Sequence, residues 1–166
     1  MLSAVLFGFV SGSRTFTAIA VLCWFAMLGS VPLGHSWARW AASLTAVAVF
    51  TLCALGEYVY DVMPWAGSRR ELGPAITRLI TGGLCGGISA AAIMEPTAGG
   101  VVLGIIGAAI GTQLCFGLRM LLQRLFKRDL PAGLLESAVF IALAVLAAIL
   151  LHHDALRMRA MEFRVS

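Results

Sequence analysis

The sequence predicts an all-α fold, a polytopic transmembrane helical bundle of about five spans, and three observations predict it. The first is composition: of 166 residues, 60% are hydrophobic and 12% charged, whereas soluble domains run at about 45–50% apolar and about 25% charged. Mean hydropathy is accordingly high, at +0.95. The second is that the apolar residues fall into five runs, each near the roughly 20 residues that cross a bilayer. The third is the position of the charges. Basic residues collect at the ends of the runs, beside Trp37, Trp40 and Trp65, as interfacial anchors do.

The runs cover residues 1–31, 37–62, 72–95, 97–126 and 130–152. The first has no basic residue ahead of it and no small-residue cleavage site, so it reads as a retained span rather than a secretory leader. The second opens on the tryptophans and ends at the acidic stretch GEYVYD; the third and fourth are rich in glycine; the fifth opens on LPAGLLES. The connections are short, which makes residues 1–152 one bundle joined by tight turns. Residues 153–166 are left as a short polar tail. With five spans, the N-terminus shares a face with Arg69, Arg70, Lys127 and Arg128, and that face is expected to be cytoplasmic. Arg39 and the tail then share the outer face.

Several function classes drop out. The net charge of +4 comes from residues at span ends and is assigned to lipid headgroups, not nucleic acid. Cys23, Cys53, Cys85 and Cys115 lie inside apolar runs without metal-ligand spacing and read as small hydrophobes. His152, His153 and Asp154 are adjacent at a helix end, where three neighbours cannot converge on one ion, so no metal and no cofactor is expected.

Glycines four residues apart let membrane helices approach backbone to backbone. Gly8 and Gly12, Gly82 and Gly86, Gly83 and Gly87, Gly100 and Gly104, and Gly107 and Gly111 have that spacing. The first, third and fourth spans are therefore expected at the close-packed centre, and the seams could also join copies of the chain as a homo-oligomer. A longer similarity accompanies two pairs. GFVSGSRTF at 8–16 aligns with GAAIGTQLC at 107–115, pairing Arg14 with Gln113, and each copy precedes a helix with one glutamate, Glu57 or Glu136. Matching the first span with the fourth and the second with the fifth gives an inverted repeat, the plan of many transporters.

Arg14 sits within the first apolar run. In a helix starting near Met1 it lies about 20 Å along the axis, too deep to snorkel, where a lone charge costs at least about 2.5–3.5 kcal/mol. Five spans place Glu57, Asp61, Arg78, Arg119 and Glu136 in the same layer. Glu57 and Asp61 share a helical face as like charges, so Arg14 or Arg78 is the expected partner, with Gln113 as a neutral group deeper in. Around Gly12-Ser13-Arg14-Thr15 the expectation is a continuous helix whose hydroxyls bond back to their own turn. The alternative is an unwound segment whose backbone lines a cavity.

The early GSRT element, GEYVYDVMP, LGPAITRLITGGL and LPAGLLESA together resemble the DUF4126-type family of small bacterial integral membrane proteins, a domain of unknown function. The resemblance covers most of the chain with loose motifs. It implies a multi-pass protein of the bacterial inner (cytoplasmic) membrane and no settled activity. Such proteins often carry an acidic pair where this chain has Glu136-Ser137, so the second carboxylate is absent here. The charged layer points to a small transporter or an ion or solute pathway through Arg14, Glu57, Asp61, Arg78, Gln113 and Glu136. Two alternatives remain. One is an intramembrane enzyme acting on lipid or polyprenyl-phosphate headgroups, although no nucleophile motif supports one. The other is a scaffold or assembly subunit. Membrane lipids are the expected partners.

Overall fold

The chain folds into α1 (Leu2–Ser13), α2 (Thr15–Met27), a 3₁₀ turn (Trp37–Ala42), α3 (Leu44–Val62), α4 (Leu72–Ala92), α5 (Thr97–Phe126) and α6 (Asp129–Val165). The structure, a computed structural model, describes residues 1–34, 36–62, 72–126 and 129–165, without the side chains of 61–62, 72–73, 116, 118–126, 129–134, 136 and 162–165. Arg69, Arg70, Lys127 and Arg128 lie outside the described residues, as do the side chains of Asp61, Arg119 and Glu136. Three helices are long and apolar enough to cross a membrane: Pro74–Ala92, Thr97–Cys115 and Ser137–Met161. Residues 153–165, expected as a tail, continue α6 as helix.

The single span expected over residues 1–31 is two half-length helices. Arg14 is extended, with φ −126° and ψ 96°, although its N–H still bonds the Val10 carbonyl as α1 ends. Contacts with α6 fix the direction of each half. Along α1, the Phe9 ring lies 6.0 Å from that of Phe140, and the Met1 ammonium lies 3.9 Å from Asp154. Along α2, Arg14 reaches Ser137 and the Ser30 carbonyl reaches His152. Therefore α1 runs against α6 while α2 runs with it, and the chain reverses at Arg14 as a helical hairpin. Its arms of 12 and 13 residues are each about 18–20 Å long at 1.5 Å per residue. Neither arm is as long as a membrane span.

From the hairpin onward the helices alternate in direction. α3 returns against α2, with Thr17 bonded to Tyr58 and Trp24 to Thr51. One end of the bundle holds the hairpin base, the start of α5 and Asp154; the other holds the ends of α3 and α5 and the starts of α4 and α6. At the base, α2 stops at Gly29, whose φ of +75° lets the N–H groups of Ser30 and Val31 turn back to Phe25 in the manner of a left-handed helix cap. The 3₁₀ turn follows, begun by the Ser36 hydroxyl, which accepts from the Ala38 N–H. It buries Ala38 and Ala41 and exposes Trp37, Arg39 and Trp40.

α1 packs along α4 and α5, and their glycines set the spacing. A methyl group at Gly8 would strike the Gly104 carbonyl; one at Gly12 would lie 2.6 Å from the Thr112 nitrogen; one at Gly82 would lie 3.0 Å from the Gly104 carbonyl and 3.5 Å from the Gly8 Cα. Three backbones thus meet at Gly8, Gly82 and Gly104. Gly86 closes on Gly100, Gly107 on Val5 and Gly111 on Phe9. These seams join helices of one chain, so the same glycines are not available to a second copy. Hydroxyls fasten the seam further along. Ser11 and Thr81 are 2.6 Å apart, and Thr112 donates to the Gly12 carbonyl at 3.1 Å and to its own Ala108 carbonyl at 2.8 Å.

The aligned segments do not form an inverted pair. Gly8 faces Gly104 and Gly12 faces Ala108 and Thr112, so α1 and α5 are parallel. The additional reversal at Arg14 is the reason. α5 also stays helical through Thr112 and Gln113, at the positions aligned with the break.

Candidate functional site

A helix leaves its first four N–H groups without intrahelical partners, and side-chain oxygens normally take some of them. α2 begins immediately after an arginine, which has no acceptor, and its own cap makes no side-chain bond. The missing acceptor comes from α3. Glu57 takes the Thr15 N–H on Oε1 at 2.9 Å and the Phe16 N–H on Oε2 at 3.0 Å. A carboxylate at a helix N-terminus is also favoured by the helix dipole.

Because the chain reverses there, the negative end of α1 and the positive end of α2 meet at one residue. Arg14 is 2% exposed, and a cation at the C-terminal end of α1 is electrostatically favoured. Its guanidinium carbon lies 4.9 Å from the centre of the Tyr58 ring, within cation–π range, and Nη2 donates to the Ser137 hydroxyl at 2.7 Å. Tyr58 is held in turn by the Thr17 hydroxyl at 2.9 Å. The Thr112 bond to the Gly12 carbonyl supplies a donor to the last turn of α1.

Of the residues expected in the layer, Arg14 and Glu57 come together at this tip. Arg78 is buried on α4, and its carbonyl accepts from Ser11 in the last turn of α1 at 3.2 Å. The expected Arg14–Glu57 ion pair is not formed; both Glu57 oxygens accept from backbone N–H groups instead. Glu57 faces backbone amides because those amides have no other acceptor. Gln113 is exposed on the outer face of α5. The side chains of Asp61 and Glu136 lie outside the described residues. Tyr58 and Thr17 were not singled out in the sequence, and Ser137 was noted only as the place of an absent second carboxylate. Their only local signal is adjacency to Glu57, Glu136 and the GSRT element.

No group of three or more His, Cys, Asp or Glu residues that could hold a metal occurs among the described residues. His152 is engaged by the Ser30 carbonyl. Cys23, Cys85 and Cys115 are buried, Cys53 is partly buried, and none of the four forms a disulfide. Protein-family models, curated proteins and solved structures give no match to the chain.

Proposed function

We propose that the chain is a multi-pass protein of the bacterial inner (cytoplasmic) membrane and acts as a small transporter or an ion or solute pathway, with the hairpin tip as its polar station. The observation that carries this reading is the chain reversal at a buried arginine inside the bundle. Helix ends within a hydrocarbon layer are tolerated only where they are buried in protein or line a cavity. Discontinuous helices are also the elements from which transporters build solute and ion sites. In this reading α4 to α6 are crossings, α3, whose apolar stretch Leu44–Tyr60 is shorter than theirs, is a fourth because it runs between the same two ends of the bundle, and α1–α2 is a re-entrant hairpin, in place of five equal spans.

This arrangement changes the expected orientation. The described helix ends that flank residues 63–71 and 127–128 lie at the tip end of the bundle. Arg69, Arg70, Lys127 and Arg128 belong to those connections, so the tip end is assigned to the cytoplasm. Leu2 and Ala160 then share the outer face. An impermeant thiol reagent added to intact cells should label Leu2→Cys and Ala160→Cys, while Pro74→Cys should require permeabilised cells. Opposite sidedness of positions 2 and 160 would rule the arrangement out.

The pathway itself is tested by flux of protons, chloride and potassium in proteoliposomes. Wild type should exceed empty liposomes for at least one of them, and Arg14→Gln should lower that flux at least tenfold while thermal unfolding still shows a folded protein. Flux that is absent for all three, or unchanged in Arg14→Gln, leaves the scaffold reading in front.

A further inference from the structure

Gln113 is expected from the sequence as a neutral polar group inside the bundle, deeper than the charged layer, and helix geometry places it elsewhere. Two residues beyond Gly111 is about 200° around the helix. Gly111 is pressed against Phe9, so Gln113 faces away from the chain's own core. It is exposed, and its amide makes no hydrogen bond among the described residues. The neighbouring Thr112 bonds to Gly12, which sets Gln113 level with the hairpin tip rather than at a helix end. In a bilayer this is an amide facing hydrocarbon, where neither its donors nor its acceptor can be satisfied by lipid.

The surroundings of Gln113 have the pattern of a helix–helix seam. Val102, Ile106, Ala109 and Gln113 are all exposed on α5, at spacings of four, three and four. That is the 3.5-residue periodicity of two helices packing at a shallow angle. Ala109 lies one turn before Gln113 and Gly117 one turn after it, and nothing lies within 4 Å of a methyl group built on Gly117. Small residues on either side of a polar one let two backbones approach to hydrogen-bonding distance.

We propose that the chain pairs with a second copy of itself through this face of α5, the two Gln113 amides hydrogen-bonding across a two-fold axis along the bundle. A second copy fits better than an unrelated helix because a primary amide is both donor and acceptor, so two of them satisfy each other in a symmetric pair. A single polar residue in an apolar seam also fixes register and the number of helices that associate. The glycine seams play no part, since they are occupied within the chain. The pairing rests on placing α5 in a bilayer and is independent of whether the hairpin tip conducts.

The test is single-molecule subunit counting of the full chain in liposomes of phosphatidylethanolamine and phosphatidylglycerol at graded protein density. Wild type should pair as density rises. Gln113→Leu should raise the density needed for pairing about three- to thirty-fold, the range for interhelical polar bonds in membranes, without loss of thermal stability because the residue faces outward. Ala109→Trp should abolish pairing, and Leu146→Trp on the exposed face of α6 should not affect it. A wild-type chain that stays monomeric at every density overturns the proposal, as does pairing that Gln113→Leu leaves unchanged. Failure to float with the liposomes removes α5 from the bilayer and the proposal with it.

Discussion

Gly104→Leu is expected to leave little folded protein, and even Gly104→Ala should lower the unfolding temperature in detergent. A methyl group at Gly104 would meet the Gly82 carbonyl oxygen, with its carbon at 2.9 Å and the Gly86 Cα at 3.1 Å. All three are backbone atoms, so no rotamer change relieves the clash, and α5 must separate from α4. Overpacking a core typically costs about 1–3 kcal/mol and occasionally more, against a total stability of about 5–15 kcal/mol. The same separation also opens the contact of α5 with α1 at Gly8. Gly56→Ala is the matched control, because nothing lies within 4 Å of a methyl group there. Alanine in a helix is favoured over glycine by roughly 0.5–1 kcal/mol, so Gly56→Ala should unfold no earlier than wild type. Equal losses at Gly104 and Gly56 would mean that the close approach does not exist.

Glu57→Ala should be the most damaging single change at the hairpin tip. It leaves the part-buried Thr15 and Phe16 amides without the carboxylate that now accepts from both. An unsatisfied buried donor costs about 1–3 kcal/mol, and here there are two. Glu57→Gln keeps one carbonyl oxygen and turns an NH2 group toward the other amide, so its loss should fall between wild type and Glu57→Ala. Thermal unfolding ranks the three, and hydrogen exchange at Thr15 and Phe16 reports the amides directly. A Glu57→Ala protein as stable as wild type, with both amides still protected, would mean that the carboxylate does not cap α2.

The glycine seam was legible because spacing alone carries it. A residue every four positions stays on one face of a helix, and glycine there has no use except close approach. The sequence also marked Arg14 and Glu57 as related, since each is an ionisable group inside an apolar run. It did not show the reversal. Residues 1–31 add up to a span, no proline or positive-φ glycine marks a turn at Arg14, and the carboxylate that makes the break affordable comes from a residue 42 positions away in the chain. Gln113 was misplaced for a different reason. Gly107 and Gly111, pressed against Val5 and Phe9, set the helical phase of α5 and turn Gln113 outward, and that phase was already present in the sequence.

The hairpin also sets an order of assembly. Its arms are made before α4, α5 and α6, yet each is too short to be retained across a bilayer by its own length, and a buried arginine lies where they join. The surfaces that close around them belong to α4 and α5, where Gly82 and Gly104 meet Gly8, and to α6, where Ser137 meets Arg14. At about 5–20 residues per second, roughly a hundred residues of further synthesis take on the order of ten seconds. Throughout that interval the first 30 residues have no completed socket. Their docking is therefore a late event, in which a segment made before its socket reaches its final position only after the socket is complete.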